Sequence, residues 1–184
     1  MKINLTQNKN FKLFKIISKV AQENNQTVYI VGGYVRDLLM QRKAPTDIDF
    51  VTEQSGIELA KAVGKELGDL KVSVFKTYGA AMIKYQALDL EFVGARKESY
   101  SEDSRKPAVE TGTLEDDQKR RDFTVNALAI SLNEENFGEL IDPFNGREDM
   151  LNKILRTPLE PAQTYSDDPL RMMRAIRFAS VLHF

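Results

Sequence analysis

The stretch Val28–Val51, VYIVGGYVRDLLMQRKAPTDIDFV, constrains this chain more than any other. Val28-Tyr29-Ile30-Val31 is short, apolar and largely β-branched, which predicts a buried strand. Gly32-Gly33 breaks that strand, and Tyr34 to Met40 has the composition of a short helix. After a Pro-containing loop the chain re-enters an apolar strand that carries Asp47 and Asp49. Residues two apart on a strand share a face, so the two carboxylates lie side by side while Ile48 and Phe50 turn into the core. Like charges held this close repel unless a cation lies between them. A lone Asp-x-Asp more often marks a strand end dipping into water. Here a glycine turn opening a helix precedes the pair, and the exposed backbone N–H groups of such a turn suit phosphate. Carboxylates for metal beside amides for phosphate form a site for a nucleoside triphosphate and magnesium.

Bulk properties narrow the chemistry by exclusion. A chain of 184 residues makes one domain, or one and the start of another. Lys and Arg number 26 against 27 Asp and Glu, a formal net charge of -1. That is not the basic footprint of a nucleic-acid binder, although a local basic face can be balanced elsewhere. There is no Cys, which rules out disulfides and thiolate metal sites. The only His is His183, so catalysis is expected to rest on carboxylates and metal. No apolar run reaches membrane-spanning length and the N-terminus has no signal-peptide core, so a cytoplasmic setting without a membrane partner is expected.

Taken in order, Asn10 to Asn24 reads as an amphipathic helix with Phe11, Phe14, Ile17, Val20 and Ala21 on one stripe. Lys12, Lys15 and Lys19 fall off the stripe, on a solvated face. Gly56 to Leu67 reads as a second helix, stopped by Gly68. Val72–Tyr78, Ala81–Gln86 and Leu88–Gly94 follow closely enough to be antiparallel hairpins. In the last of these, Asp89 and Glu91 alternate with apolar residues and share a face, open either to water or to a site. Ser99 to Asp117 is charged and aperiodic, and reads as a long mobile loop of the kind that serves as a lid. Arg120-Arg121-Asp122-Phe123-Thr124-Val125-Asn126-Ala127 offers guanidiniums for triphosphate oxygens, with a carboxylate and an amide for ribose hydroxyls. The same arginines beside an Asp would also suit a surface ion-pair cluster. Leu128–Leu132 and Gly138–Ile141 read as a hairpin, Asp142 to Gly146 as a turn, and Glu148 to Lys153 as a short helix. Pro158 and Pro161 mark a linker, with a domain boundary near Leu159. Beyond it, Ser166 or Asp167 caps a helix that has Pro169 in its first turn and Asp168 and Arg171 as neighbours on one face.

Gly32-Gly33-Tyr34-Val35-Arg36-Asp37 with Asp47-Ile48-Asp49 resembles the first motif of the class II CCA-adding tRNA nucleotidyltransferases and their relatives, the bacterial poly(A) polymerases. Arg120 to Ala127 resembles their second motif, and Asp167-Asp168-Pro169-Leu170-Arg171 their base-reading motif. The chain departs from the pattern at Met40-Gln41, where the family has Gly, and at Asp167, where it has Glu. The resemblance implies an α/β fold of α+β type, a DNA polymerase beta-like head with a small mixed sheet and helices mainly on one face. Residues 1–159 would form that head and 160–184 the beginning of a helical neck that continues in the family. It implies CTP and ATP as substrates, the tRNA 3′ end as acceptor, and two Mg²⁺ ions. Asp47 and Asp49 would hold the metal with Glu91, which matches the family's acid in Glu91-Phe92-Val93-Gly94-Ala95-Arg96-Lys97-Glu98; Asp89 is its alternate. Gly32, Gly33, Arg36, Arg120, Arg121, Asp122 and Asn126 would bind triphosphate and ribose. Asp168 and Arg171 would read the base, with Asp167 and Arg174 as further candidates. A poly(A) polymerase, an enzyme adding only CC or only A, and a nucleotide-binding module without turnover remain the alternatives.

Overall fold

A computed structural model describes residues 1–43, 45–101 and 104–184. The glycine turn sits between β1 (Tyr29–Val31) and α2 (Gly33–Leu39), after α1 (Phe11–Glu23), and leads to β2 (Asp47–Thr52). Next come α3 (Gly56–Glu66), β3 (Val72–Phe75), β4 (Ala80–Tyr85) and β5 (Leu88–Gly94). These strands join β8 (Ala129–Ser131) and β9 (Leu140–Ile141) in one sheet of order β3-β4-β5-β2-β1-β8-β9. Only β2 and β5 run parallel, with α3 and the β3–β4 hairpin as the crossover between them; the other neighbours are antiparallel. The fold is thus mixed α/β with a mostly antiparallel sheet.

Period-two alternation sorts the two faces of the sheet. Ile48 and Phe50 are fully buried, and Phe50 stacks on Phe92 of β5 with ring centroids 4.9 Å apart. Phe14 and Ile17 of α1 and Leu59 and Val63 of α3 close over that face, so the predicted apolar stripes carry the core. The opposite face bears Val31, Val51 and Ala129, covered in part by Leu114 of α4 (Leu114–Lys119). The carboxylates project from this second face.

Three segments depart from the sequence expectations. Val72–Tyr78 is extended only to Phe75; Lys76–Tyr78 forms a 3₁₀ turn closed by Gly79 at φ 60°. The expected loop Ser99–Asp117 is instead largely ordered chain. β6 (Arg96–Ser101) pairs with β7 (Ser104–Thr111) as a separate ribbon, and α4 follows; Glu102 and Asp103 of that expectation lie outside the described residues. A two-stranded ribbon beside the sheet needs no apolar alternation, which is why composition read as loop. α4 starts at a capping box, Thr113 and Asp116 exchanging hydrogen bonds, a signal present in the sequence.

The C-terminal segment is the third. Ser166 and Asp167 do not cap a helix but end α6 (Pro161–Asp167), which begins with Pro161 in its first turn, after α5 (Gly146–Asn152). α7 (Leu170–Leu182) starts only after Pro169. Proline disfavours helical backbone in the residue before it, and Asp168 is extended at φ -142°, ψ 97°. Asp168 and Arg171 therefore do not share a helix. Phe178 and Leu182 of α7 insert into the main core.

Candidate functional site

The parallel pairing of β2 with β5 sets Asp47 opposite Asp89 and Asp49 opposite Glu91. Asp49 and Glu91 line a cleft of about 720 Å³. Asp47, exposed at the first residue of β2, and Asp89 share their face but do not line it. Asp89 is taken by Lys84, its cross-strand partner on β4, at 2.9 Å. Burial pushes the Asp49 carboxyl above its ordinary value, Asp47 and Asp117 push it further, and Arg121 opposes them. Glu91 is raised by burial and then by Asp49 and Asp47, against the pull of Arg96. Asp49 and Glu91 thus both resist ionising.

Facing them, α4 ends at Lys119 and delivers Arg120 and Arg121 to the cleft. Both guanidiniums grip Asp117, which is fully buried. Asp117 Oδ1 accepts from Arg120 Nε at 3.0 Å and from its Nη2; Oδ2 accepts from Arg121 Nε at 3.1 Å and Nη2 at 2.8 Å. Burial pushes the Asp117 carboxyl up, but the two guanidiniums and their hydrogen bonds outweigh it and hold it below its ordinary value. Gln118 Nε2 donates to Ala127 O at 2.6 Å and fixes the helix to the sheet. Gly32, at φ 71°, lies under Arg121: a Cβ there would meet Arg121 Nη1 at 2.9 Å. Gly32 is thus needed both for its backbone angle and for the approach of the arginine.

A second chain of hydrogen bonds ties α2, the Arg120–Ala127 segment and α7 together. Arg36 forks onto Asp37 at 2.9 and 3.0 Å and donates through Nη1 to Asn126 Oδ1 at 2.6 Å. Asn126 Nδ2 donates to Asp122 Oδ1 at 3.0 Å, and Asp122 Oδ2 accepts from Arg174 Nε at 2.8 Å. The cations of Arg36, Arg174 and Arg177 stand 5.2–5.6 Å from the Phe178 ring centre. Arg171 reaches across from α7, its Nη2 donating to Arg120 O at 2.7 Å, and Asp168 Oδ1 accepts from Leu170 N at 3.1 Å.

Gly32, Gly33, Arg36, Asp49, Glu91 and all four candidates of the Arg120–Asn126 segment line this one cleft, with Asp168, Arg171 and Arg174 across from them. Asp167 does not; it accepts from Gln163 Nε2 at 2.5 Å. Among the described residues the lining holds seven arginines and four carboxylates, so a chain of net charge -1 still presents a cationic cleft. Asp117, Arg177 and Phe178 escape a reading of the sequence. The spacing Asp117–Arg120–Arg121, three and four residues on a helix, is the signal that finds the first.

Among the described residues no three acidic or histidine side chains form a ready-made metal cage. Magnesium is commonly held by one or two carboxylates with substrate phosphates completing the shell, and the buried Asp49 beside Glu91, whose ionised forms a cation would stabilise, fits that donor set.

Residues 28–156 match the sequence profile of the Poly A polymerase head domain. The chain belongs to that family. Within it, the chain is 46% identical over 156 residues to the A-adding tRNA nucleotidyltransferase of Aquifex aeolicus (strain VF5), covering 85% of this chain and 18% of that one. It is 37% identical over 170 residues to the CCA-adding enzyme of Geobacillus sp. (strain WCH70), covering 91% and 40%. The fold matches the crystal structure of a tRNA nucleotidyltransferase complexed with a primer tRNA and an incoming ATP analog. The TM-score is 0.80 and the identity 41%, over 91% of this chain and 45% of that one. This head-domain chain therefore spans less than half the length of these relatives. No helix among the described residues is long and apolar enough to cross a membrane.

Proposed function

We propose that this chain transfers CMP and AMP from CTP and ATP to the 3′ end of tRNA in the cytoplasm, releasing pyrophosphate. The observation that carries the reading is the parallel register that sets Asp49 beside Glu91 on one wall of the cleft, with the Asp117-held arginines on the other. Arg120, Arg121 and Arg36 bind the triphosphate, fixed in direction by Asp117 and Asp37, with the Gly32-Gly33 turn beneath. Asp122 and Asn126 set the floor for the ribose through their remaining lone pairs. Asp49, Asp47 and Glu91 are the residues that would hold magnesium, with Asp89 set aside by its bond to Lys84. When bound, the metal would offset charge on the attacking and leaving oxygens. The 3′-hydroxyl attacks the α-phosphorus in line, and pyrophosphate departs toward the arginines.

Asp168 and Arg171 read the base. Cytosine and adenine each present an amino donor beside a ring-nitrogen acceptor, matching one carboxylate and one guanidinium. Uracil and guanine present the reverse and would leave both side chains unpaired. The match over residues 28–156 supports a head domain ending near Leu159. Adenine alone would also satisfy the pair, and the A-adding relative in Aquifex aeolicus favours addition of A only as the second reading. Incorporation of each labelled nucleotide on tRNA ending before C, C and A separates the two. Nucleotide binding with no metal-dependent pyrophosphate release would overturn both in favour of a binding module.

A further inference from the structure

A second groove of about 550 Å³ opens beside the main cleft. Among the described residues the two linings share only Tyr78 and Arg96. Tyr78 ends the 3₁₀ turn before β4 and is 65% exposed, a large aromatic left in water where the chain enters a core strand. Space is open on the Cβ side of its neighbour Gly79, while backbone bonds from Gly94 N to Gly79 O at 3.4 Å and from Gly79 N to Lys76 O at 3.1 Å hold the turn in place. The floor of the groove is main chain. A Cβ on Gly56 would come within 2.6 Å of the Val93 carbonyl carbon, and one on Gly94 within 2.9 Å of Gln54 O, so close packing already accounts for both glycines.

We infer that this groove takes the single-stranded 3′ end of the acceptor RNA, with its last base stacked on the Tyr78 ring. The inference rests on the proposed transfer reaction and adds the acceptor's path to it. The reacting hydroxyl must reach Asp49 and Glu91 from the side that the triphosphate leaves open. The arginines after α4 and the start of α7 occupy one approach. The other runs from Glu91 along Val93 and its strand partner Ala80 to Tyr78, all four lining the cleft. An exposed ring offers a stacking face to any base, and Arg96 places a cation at the junction for the backbone phosphate. A ring at the rim also suits an acceptor end whose identity changes with each addition, because stacking does not read hydrogen-bond patterns.

The test pairs turnover with a direct reading of stacking. Tyr78→Ala should raise the acceptor KM about tenfold while the KM for the nucleoside triphosphate stays put, and Tyr78→Phe, which keeps the ring, should restore the acceptor KM. A hairpin RNA with 2-aminopurine as its last nucleotide should be quenched by the wild-type chain and by Tyr78→Phe but not by Tyr78→Ala. An unchanged acceptor KM with unchanged quenching in Tyr78→Ala would overturn the groove, as would a rise confined to the triphosphate KM. Tyr78-dependent quenching by a wild-type chain that transfers no nucleotide would keep the groove and overturn the transfer reaction instead.

Discussion

Asp117→Asn tests how the arginines of the cleft are held. Asp117 is fully buried and its two oxygens each serve one guanidinium. Asn keeps one acceptor oxygen and turns an NH₂ donor toward the other arginine, so one charge-assisted pair is lost and replaced by a donor–donor contact. A hydrogen bond to a charged group contributes about 1.5–3 kcal/mol. The arginine side chains are 20% and 17% exposed, so water can reach the released one, and a neutral amide costs less to bury than a carboxylate. Both effects hold the net loss to about 2 kcal/mol. For a chain of this size that lowers Tm by roughly 4–8 °C. The sign with pH follows from the depressed carboxyl. The native state favours the ionised form more than the unfolded chain does, so the stabilisation is present above the ordinary Asp value and fades as pH falls through the lower native one. The gap between wild type and variant should therefore be full at neutral pH and close in acid. Triphosphate Kd should rise about tenfold, the value of one misdirected charge-assisted contact near the lower end of that range. Calorimetry across pH, with nucleotide titrations, measures each quantity. A Tm within 1 °C of wild type, on the order of the smallest surface effects, together with an unchanged Kd would refute the reasoning.

Asp49→Asn should abolish nucleotide transfer while leaving the metal-free protein at least as stable as wild type at neutral pH, because burial and Asp47 make the ionised carboxyl unfavourable. That advantage should shrink as pH falls through the carboxylate range, and added magnesium should raise Tm for wild type but not for the variant; an equal magnesium shift in both would remove Asp49 from the metal site. Gln41 follows α2 at φ 53°, a left-handed position that glycine fills without a Cβ clash. Gln41→Gly should therefore stabilise by about 1 kcal/mol, or roughly 2–4 °C in Tm, and a fall in Tm would contradict the backbone argument. Asp168→Ala should lower kcat/KM for CTP and ATP relative to UTP and GTP by roughly ten- to a hundredfold. An unchanged CTP-to-UTP ratio would return Asp168 to a purely structural role at the break between α6 and α7.

Whatever depends on neighbours in the chain is legible in the amino-acid sequence alone. The period of two puts Asp47 and Asp49 on one face and Ile48 and Phe50 in the core; the helical stripe of Phe14, Ile17 and Val20 settles which side of α1 is buried. The two motifs that flank the carboxylates are likewise continuous runs whose residue types name their chemistry. Long-range pairing decides the rest. Asp89 and Glu91 are equivalent to local periodicity, and only the register of β5 between β2 and β4 gives Asp89 to Lys84 and sets Glu91 beside Asp49. Asp117 is a local case that composition hid: its segment reads as loop, and its spacing of three and four to Arg120 and Arg121 carries meaning only once that segment is known to be helix. Asp168 and Arg171 do line one wall of the cleft together, but as an extended residue followed by the first turn of α7 and not along one helix, because Pro169 stops helical backbone at the residue before it. Side-chain periodicity is fixed by covalent geometry over a few residues, whereas the partner across a sheet or cleft is fixed by the packing of elements far apart in sequence.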